Sequence, residues 1–219
     1  MLQIVAIDGI SGSGKSSTAR LLAQALGFRH LDTGAMYRLH AFTALQAGLR
    51  PDEYADLARA AEKLRFSFGA EGALLADGRP LPDSIRSPEV SAVVSEYCKP
   101  KEVRTVMVQK QRELALAGPT VVEGRDIGTV VFPDAPWKFF MVAKPEVRAY
   151  RRAKELAQAG HPVRYEDILQ NLRERDSQDS SRANAPLLKA ADAVEVDTSD
   201  YTLEQQVAML SNLVLKGSP

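Results

Sequence analysis

The chain has 219 residues, of which 45% are hydrophobic and 26% are charged, a composition typical of one globular α/β domain. It carries 28 Lys and Arg residues against 28 Asp and Glu residues, so the charge balance gives no reason to expect a nucleic-acid partner. The single cysteine, Cys98, excludes an internal disulfide. With no signal segment and no run near the ~18 apolar residues of a membrane span, we expect a cytoplasmic protein with no membrane partner.

A strand, a glycine-rich loop and a helix are predicted at the start of the chain. Residues 2–7 form an apolar, β-branched run, and apolar residues recur at helical spacing over 16–26. Between them, residues 9–16 fit G-x-x-x-x-G-K-[ST], the loop that holds nucleotide phosphates on its backbone N–H groups. Lys15 would reach the β- and γ-phosphates, and the Ser16 hydroxyl would bind Mg²⁺. The predicted ATP-binding residues are Gly9, Ile10, Ser11, Gly12, Ser13, Gly14, Lys15, Ser16 and Ser17.

The next segment predicts a second phosphate-binding cation close to this loop. A short strand over 28–31 leads into a helix that Asp32 or Thr33 would cap. Arg38 lies in the first turns of that helix, beside Tyr37. Because a phosphate loop is predicted next to it, Arg38 is a candidate for holding a second phosphate.

A small antiparallel insertion is predicted to interrupt the alternation of strands and helices. After a helix over 52–64, Phe66 and Phe68 alternate with other residues and glycine-containing turns follow. This pattern favours a hairpin, with another strand pairing nearby, within about 65–82. Two helices are then predicted, over 87–97 and 101–117.

A charged cluster follows the next main strand, which begins at Thr120. Residues 123–126 read Glu-Gly-Arg-Asp, and charges at the end of a buried strand are costly unless they are used. Because ligands bind at the carboxyl ends of strands in open parallel sheets, we expect the phosphate loop, 32–38 and 123–126 to converge on one cleft. The other predicted elements are strands over 138–143 and 194–196 and helices over 145–160, 165–175 and 203–215.

Together these elements predict a three-layer α/β/α domain with a five-stranded parallel sheet. Arginines recur near the predicted cleft, whereas no catalytic His or Ser–His arrangement is recognisable. These arginines suit an acceptor that is itself a phosphate, since the acceptor oxygen is already ionised near neutral pH and needs no general base. In such a reaction two polyanions must approach each other, and nearby cations together with the exclusion of water make that approach possible. The residues therefore favour a kinase acting on a nucleoside monophosphate.

Four segments carry a resemblance to a known family: residues 9–16, 32–38, 123–133 and 175–183. In order and spacing they resemble the bacterial cytidylate kinases, nucleoside monophosphate kinases of the P-loop class, over essentially the whole chain. The resemblance implies transfer of the γ-phosphoryl group of ATP to CMP or dCMP, with Mg²⁺ as cofactor. It also implies three regions: a core (1–32, 98–147 and 183–219), a monophosphate-binding region (33–97), and a helical lid with its adjoining helix (about 148–182).

Residue roles follow from the matching motifs. The implied catalytic cations are Lys15, Arg38, Arg125, Arg148, Arg152 and Arg175. The implied CMP-binding residues are Thr33, Tyr37, Arg38, Ser95, Arg104, Gly124, Arg125, Asp126, Arg175, Asp179 and Arg182, of which Thr33, Arg104, Asp126 and Arg182 would read the cytosine. Ser16 would bind Mg²⁺, and Glu123, which stands where the family commonly has Asp, would reach it through water.

Two alternatives stand beside this interpretation. The chain could be another P-loop small-molecule kinase, with UMP or AMP as acceptor, or a nucleotide-binding protein without turnover. Acceptor-side cations such as Arg125 and Arg182 argue against a pure binder. Nothing in the sequence demands an oligomer, so we expect a monomer.

Overall fold

The computed structural model describes residues 3–158, 160, 163–181 and 185–217. Its strands are β1 (Ile4–Gly9), β2 (Arg29–Asp32), β3 (Phe66–Phe68), β4 (Leu74–Ala76), β5 (Arg79–Pro80), β6 (Thr120–Glu123), β7 (Trp137–Val142) and β8 (Val194–Asp197). Its α-helices are α1 (Lys15–Leu26), α2 (Thr33–Gln46), α3 (Tyr54–Lys63), α4 (Pro88–Tyr97), α5 (Lys101–Ala115), α6 (Pro145–Gln158), α7 (Tyr165–Ser180) and α8 (Leu203–Leu215). Short 3₁₀ turns span Ala70–Gly72 and Asp83–Arg86, and a π-helical turn spans Ile127–Val131.

The main sheet has the order β2-β6-β1-β7-β8, and within the described residues its five strands are all parallel. This confirms the predicted five-stranded parallel sheet. β1 lies at its centre, so the loop that follows β1 leaves the middle of the carboxyl edge. The segments after β2 and β6 leave the same edge beside it, which brings residues 32–38 and 123–126 next to the phosphate loop.

The side chains of β1 alternate between the two faces of this sheet, as expected for a strand. Ile4 and Ala6 join a buried cluster that includes residues of α2, α3 and α5. Val5 and Ile7 join a second buried cluster formed with α1 and α8. Both faces of the sheet are therefore covered by helices, and the architecture is the predicted three-layer one.

The predicted insertion contains β3, β4 and β5, which pair antiparallel in that order. Phe66 and Phe68 pack against the larger core cluster, so the insertion is anchored to the domain. The proposed division into core, monophosphate-binding and lid regions stays a prediction.

One element boundary was wrong by more than a turn. The sequence predicts that the helix beginning at Tyr165 ends at Arg175, whereas α7 continues to Ser180. The added residues Asp176, Ser177 and Asp179 are weak helix formers. Asp176 and Asp179 form ion pairs with Arg148 and Arg125, and these tertiary contacts explain the longer helix. By contrast, α8 has the predicted bounds, and a capping box at Thr202 starts it.

In the part of the chain that the structure describes, no helix combines the length and the apolar character needed to cross a bilayer.

Candidate functional site

The phosphate loop joins the end of β1 to the start of α1, as predicted. Gly14 precedes α1 with φ of 92°, a left-handed conformation that favours glycine. Gly9 must be glycine for another reason, since a Cβ there would lie 2.0 Å from the Met141 carbonyl oxygen. The loop is thus held against β7 and opens onto the first turn of α1.

Lys15 is folded back into the loop. Its side chain is buried, and Nζ donates a hydrogen bond to the Ile10 carbonyl oxygen at 2.8 Å. Burial, together with repulsion from Arg125, lowers the pKa of Lys15 to about 7. The carboxylates of Glu123, Asp179 and Asp8 offset only part of this effect, and a bound polyphosphate would favour the charged ammonium group further.

Residues of α6 and α7 hold the phosphate loop from one side. The Arg148 guanidinium, 3% exposed, donates to the Ser11 carbonyl oxygen at 2.9 Å and pairs with Asp176 at 2.7 Å. Arg148 also donates to the Ala143 carbonyl oxygen. The resemblance assigns Arg148 to the catalytic cations, but its guanidinium is engaged here by protein groups at the base of the loop.

The end of β8 holds the loop from the other side. The Thr198 hydroxyl, fully buried, donates to the Ser13 carbonyl oxygen at 2.8 Å. Arg151 donates to the Thr198 hydroxyl at 3.1 Å and to its carbonyl oxygen at 2.6 Å. The loop conformation therefore depends on residues far away in the sequence.

Three arginines form a half-buried cationic cluster next to the loop. Arg125 pairs with Asp179 at 2.8 Å. Among the residues that the structure describes, Arg38 and Arg175 have no ion pair; Arg38 donates to Ser91 Oγ at 2.9 Å. Burial and the charge of Arg175 lower the pKa of Arg38 to about 10, and burial and the charge of Arg125 lower the pKa of Arg175. The cluster therefore carries mutual repulsion that a bound anion would relieve.

Polar groups suited to recognising the edge of a nucleotide base line the same cleft as this cluster. Arg104 and Asp126 form a buried ion pair, and the Arg104 guanidinium lies 5.5 Å from the centroid of the Tyr37 ring. The Thr33 hydroxyl, also buried, donates to the Glu123 carbonyl oxygen at 2.7 Å. These groups offer a carboxylate acceptor, guanidinium donors and a hydroxyl in one pocket.

Ser16 and Glu123 are side by side where the loop meets β6. Ser16 Oγ donates to Glu123 Oε2 at 2.6 Å, and His30 Nε2 lies 2.9 Å from Glu123 Oε1. Burial alone would raise the pKa of Glu123, but the His30 ring, the Ser16 hydroxyl and Lys15 hold that pKa below its usual value. Glu123 is thus an ionised carboxylate beside the loop hydroxyl.

One cleft of about 740 Å³ collects most of the predicted site residues. Those that line it are Ser11, Gly12, Gly14, Lys15, Ser16, Ser17, Thr33, Tyr37, Arg38, Ser95, Arg104, Glu123, Gly124, Arg125, Asp126, Arg148, Arg152, Arg175 and Asp179. Gly9, Ile10 and Ser13 are not among the lining residues; Gly9 and Ser13 are buried and Ile10 is half-buried. Arg182 lies outside the described residues.

Sequence reasoning missed several residues that shape the site. Arg86, in the 3₁₀ turn that follows the insertion, pairs with Asp32 at 3.1 Å and lines the cleft. Thr198 and Asp176 hold the phosphate loop. Asp176 lies in the segment 175–183 that carries the family resemblance, whereas no local pattern marks Thr198. Asp8 did carry a signal, because a lone carboxylate inside an apolar strand is costly unless it is used.

Comparison with known proteins decides the family. Residues 5–216 match the family model described as cytidylate kinase. A cytidylate kinase of Clostridium tetani is 42% identical over 214 residues, which cover 98% of this chain and 94% of that relative. A cytidylate kinase of Geobacter sulfurreducens is 43% identical over 214 residues, with 96% and 92% covered. This chain belongs to the cytidylate kinase family.

Membership of the cytidylate kinase family confirms the sequence-based prediction of a nucleotide-binding kinase, and with it of an enzyme. A solved structure of an uncharacterized protein from Eubacterium ventriosum is also similar, with a TM-score of 0.51 and 13% identity over 99% of this chain and 97% of that one. At that identity the similarity supports the fold alone.

Proposed function

We propose that this chain transfers the γ-phosphoryl group of ATP to CMP or dCMP, giving ADP and CDP or dCDP. The observation that carries the proposal is the arginine cluster of Arg38, Arg125 and Arg175, which lines the same cleft as the phosphate loop and the base-edge pocket. Like charges held together in a half-buried cluster are unfavourable until an anion arrives. Its place in the cleft fits the phosphate of an acceptor nucleotide whose donor lies on the loop.

The chemistry needs no general base. The acceptor oxygen is a phosphate oxygen, ionised near neutral pH, so catalysis consists of positioning the reactants and stabilising charge. Lys15 and the three arginines supply that stabilisation from both sides of the transferring group. Arg152 lies at the rim of the same cleft, on α6, and we assign it to the mobile lid that excludes water.

Base selection follows from the polar pocket. Cytosine presents an N4 amino donor with N3 and O2 acceptors, so Asp126 or Thr33 would take the donor and Arg104 would serve the acceptors. Uracil reverses two of these three groups and would leave buried polar atoms unpaired, at about 1–3 kcal/mol each. Tyr37 supports the Arg104 guanidinium through its ring face. Ser95, Arg175 and Asp179 would contact the sugar.

The donor set beside the loop fits Mg²⁺. Ser16 and Glu123 present a hydroxyl and an ionised carboxylate within 2.6 Å of each other, and Mg²⁺ prefers oxygen ligands together with retained water. We assign Ser16 as a direct ligand and Glu123 as a partner through water. Bound there, Mg²⁺ would neutralise charge on the ATP phosphates.

We infer that the kinase works as a monomer, because nothing in the sequence demands more than one copy of the chain. Sedimentation velocity at assay concentration tests this inference. The cytoplasmic location stays a prediction from the sequence.

The test of function is ADP release from ATP and Mg²⁺ in a coupled assay, with CMP, dCMP, UMP, AMP and GMP compared in parallel. We expect strong turnover with CMP and dCMP and much weaker turnover with UMP. Turnover with another monophosphate alone would keep the roles of the loop and the arginines but contradict those of Thr33, Arg104 and Asp126. A folded chain that binds ATP and turns over none of the five would refute the proposal.

A further inference from the structure

Asp8 is a buried carboxylate that the proposed reaction does not use directly. It stands in β1 immediately before Gly9, the first residue of the phosphate loop, and is 4% exposed. Both of its oxygens are engaged: Oδ1 accepts from the Ile127 N–H at 2.8 Å and Oδ2 from the Gly128 N–H at 2.7 Å. A charged side chain in a buried apolar strand is costly, so this arrangement requires an explanation.

The two N–H groups begin the π-helical turn Ile127–Val131. Within the turn, Val131 donates to the Asp126 carbonyl oxygen and Phe132 to the Ile127 carbonyl oxygen. The first N–H groups of such a turn find no partner inside it, and a negative charge at this end is favourable. Asp8 therefore satisfies the start of the turn from a neighbouring strand.

The short segment Gly124–Asp126 is consequently tied to β1 at both ends. At its start, the Gly124 N–H donates to the Ile7 carbonyl oxygen at 3.0 Å. Just after its end, Asp8 holds Ile127 and Gly128. Ile7 and Asp8 are adjacent and lead directly into the phosphate loop. Both anchors are therefore formed by the strand residues that immediately precede that loop.

The segment has little freedom to shift between these anchors. A Cβ at Gly124 would lie 2.6 Å from Ile127 Cδ1 and 2.7 Å from Thr33 Oγ1. A Cβ at Gly128 would lie 3.2 Å from Lys138 Cδ. The backbone is thus packed closely on both sides of Arg125 and Asp126.

We propose that Asp8 is a positioning residue that fixes the acceptor-binding segment, with Arg125 and Asp126, relative to the phosphate loop. This inference rests on the proposed function, since Arg125 and Asp126 are assigned there to the acceptor phosphate and the cytosine. Asp8 touches neither nucleotide in this scheme. It acts by setting the distance and angle between the donor site and the acceptor site, to which phosphoryl transfer is sensitive.

The ionised form of Asp8 is the one that can accept from both N–H groups. Burial, with a smaller contribution from the nearby Asp126 carboxylate, raises the pKa of Asp8 to about 6, although the two backbone hydrogen bonds and Lys15 oppose the rise. Lys138 also faces this region, with its stem against Gly128. Below about pH 6 the Asp8 carboxyl group is protonated, and its O–H group then faces one of the two N–H groups. Two donors cannot form a hydrogen bond with each other, so the contact between Asp8 and that N–H group weakens as the pH falls.

The experiment compares the full chain with Asp8→Asn and with Asp52→Asn. Asp52 is a suitable control, because it is an exposed carboxylate that pairs with exposed Arg50 and does not line the cleft. For Asp8→Asn we expect kcat/KM for CMP to fall by about ten- to a hundredfold. The Kd for ADP should stay within about twofold, because Thr198 and Arg148 hold the phosphate loop independently. Asp52→Asn should match the unsubstituted chain in both quantities.

Two further readouts separate positioning from simple loss of stability. The pH profile of kcat/KM for CMP should fall toward acid near pH 6, where both the CMP phosphate and Asp8 take up a proton. Asp8→Asn should make this acidic limb shallower, because only the titration of the phosphate then remains. In the unsubstituted chain, the amide proton shifts of Ile127 and Gly128 should titrate together with a pKa near 6. This second measurement needs no variant, so it still decides the matter if Asp8→Asn fails to fold.

Unchanged kcat/KM for CMP in folded Asp8→Asn, or equal losses for CMP and ADP, would overturn the inference. So would amide shifts of Ile127 and Gly128 that do not titrate. An unsubstituted chain that releases no ADP with CMP would instead overturn the proposed function. The titration of the amide proton shifts would then still test whether the Asp8 carboxylate holds Ile127 and Gly128.

Discussion

The hydroxyl of Thr198 connects the phosphate loop to the end of the sheet, and its removal has a calculable cost. Thr198→Val keeps the shape of this fully buried side chain. It removes the donor to the Ser13 carbonyl oxygen at 2.8 Å and the acceptor for Arg151 at 3.1 Å. Arg151 keeps its bond to the Thr198 carbonyl oxygen and is half-exposed, so water can replace its lost partner.

The free-energy cost therefore comes mainly from Ser13. A buried carbonyl left unpaired costs about 1–3 kcal/mol, and we expect Thr198→Val to lower the free energy of unfolding by about 2–3 kcal/mol in total. For a chain of this size each kcal/mol corresponds to about 2–4 °C in Tm, so calorimetry should show a drop of about 4–12 °C. Because the Ser13 peptide belongs to the loop, the KM for ATP should also rise, by up to about tenfold.

Thr105→Val is the matched control. The Thr105 hydroxyl donates to the Lys101 carbonyl oxygen on the exposed side of α5, so its loss should change the stability by no more than about 0.5 kcal/mol. A Thr198→Val protein with the Tm of Thr105→Val and an unaltered KM for ATP would refute the claim that this hydroxyl holds the loop.

Three further predictions follow from the site. Asp126→Asn should raise the KM for CMP by about ten- to a hundredfold while the KM for ATP changes by less than about twofold; equal losses for both nucleotides would contradict a role in base recognition. Since the pKa of Lys15 is about 7 in the ligand-free protein against 10.5 ordinarily, the unfolded chain binds more protons between these values, and stability should rise with pH across that window. Lys15→Met should flatten this rise in urea titrations, and an identical slope would count against the buried ammonium group. Arg148→Met should destabilise the protein by about 2–4 kcal/mol, because Asp176 loses its buried partner; a Tm equal to that of the unsubstituted chain would show that the pair contributes no net stability.

The sequence alone predicts the phosphate loop and the sheet, because both depend on short-range signals. Glycines and Lys15 at fixed spacing specify the loop, and apolar periodicity specifies the strands and most helices. The convergence of residues 32–38 and 123–126 on one cleft also follows, since parallel strands place their carboxyl ends on one edge. The family resemblance added roles to these residues, and the family itself is confirmed.

Where the sequence misled, the cause was a contact between distant residues. The end of α7 lies five residues beyond its predicted position, where Asp176 and Asp179 meet Arg148 and Arg125. Helix propensity describes only local preference, and these ion pairs outweigh it. The sequence makes no prediction for the π-helical turn after Asp126, and there too the support comes from a distant residue, the Asp8 side chain in another strand.

The tertiary structure alone decides which polar groups hold the site and which remain available to substrates. Arg148 and Arg38 look alike in the sequence and both line the cleft. Arg148, however, is buried and engaged by the Ser11 carbonyl oxygen and Asp176, whereas Arg38 is half-buried and has no ion pair among the described residues. Asp8 and Thr198 hold the two halves of the site although neither belongs to a motif. Such roles depend on which donors and acceptors are brought within hydrogen-bonding distance when distant segments pack, and no local pattern in the chain encodes that distance.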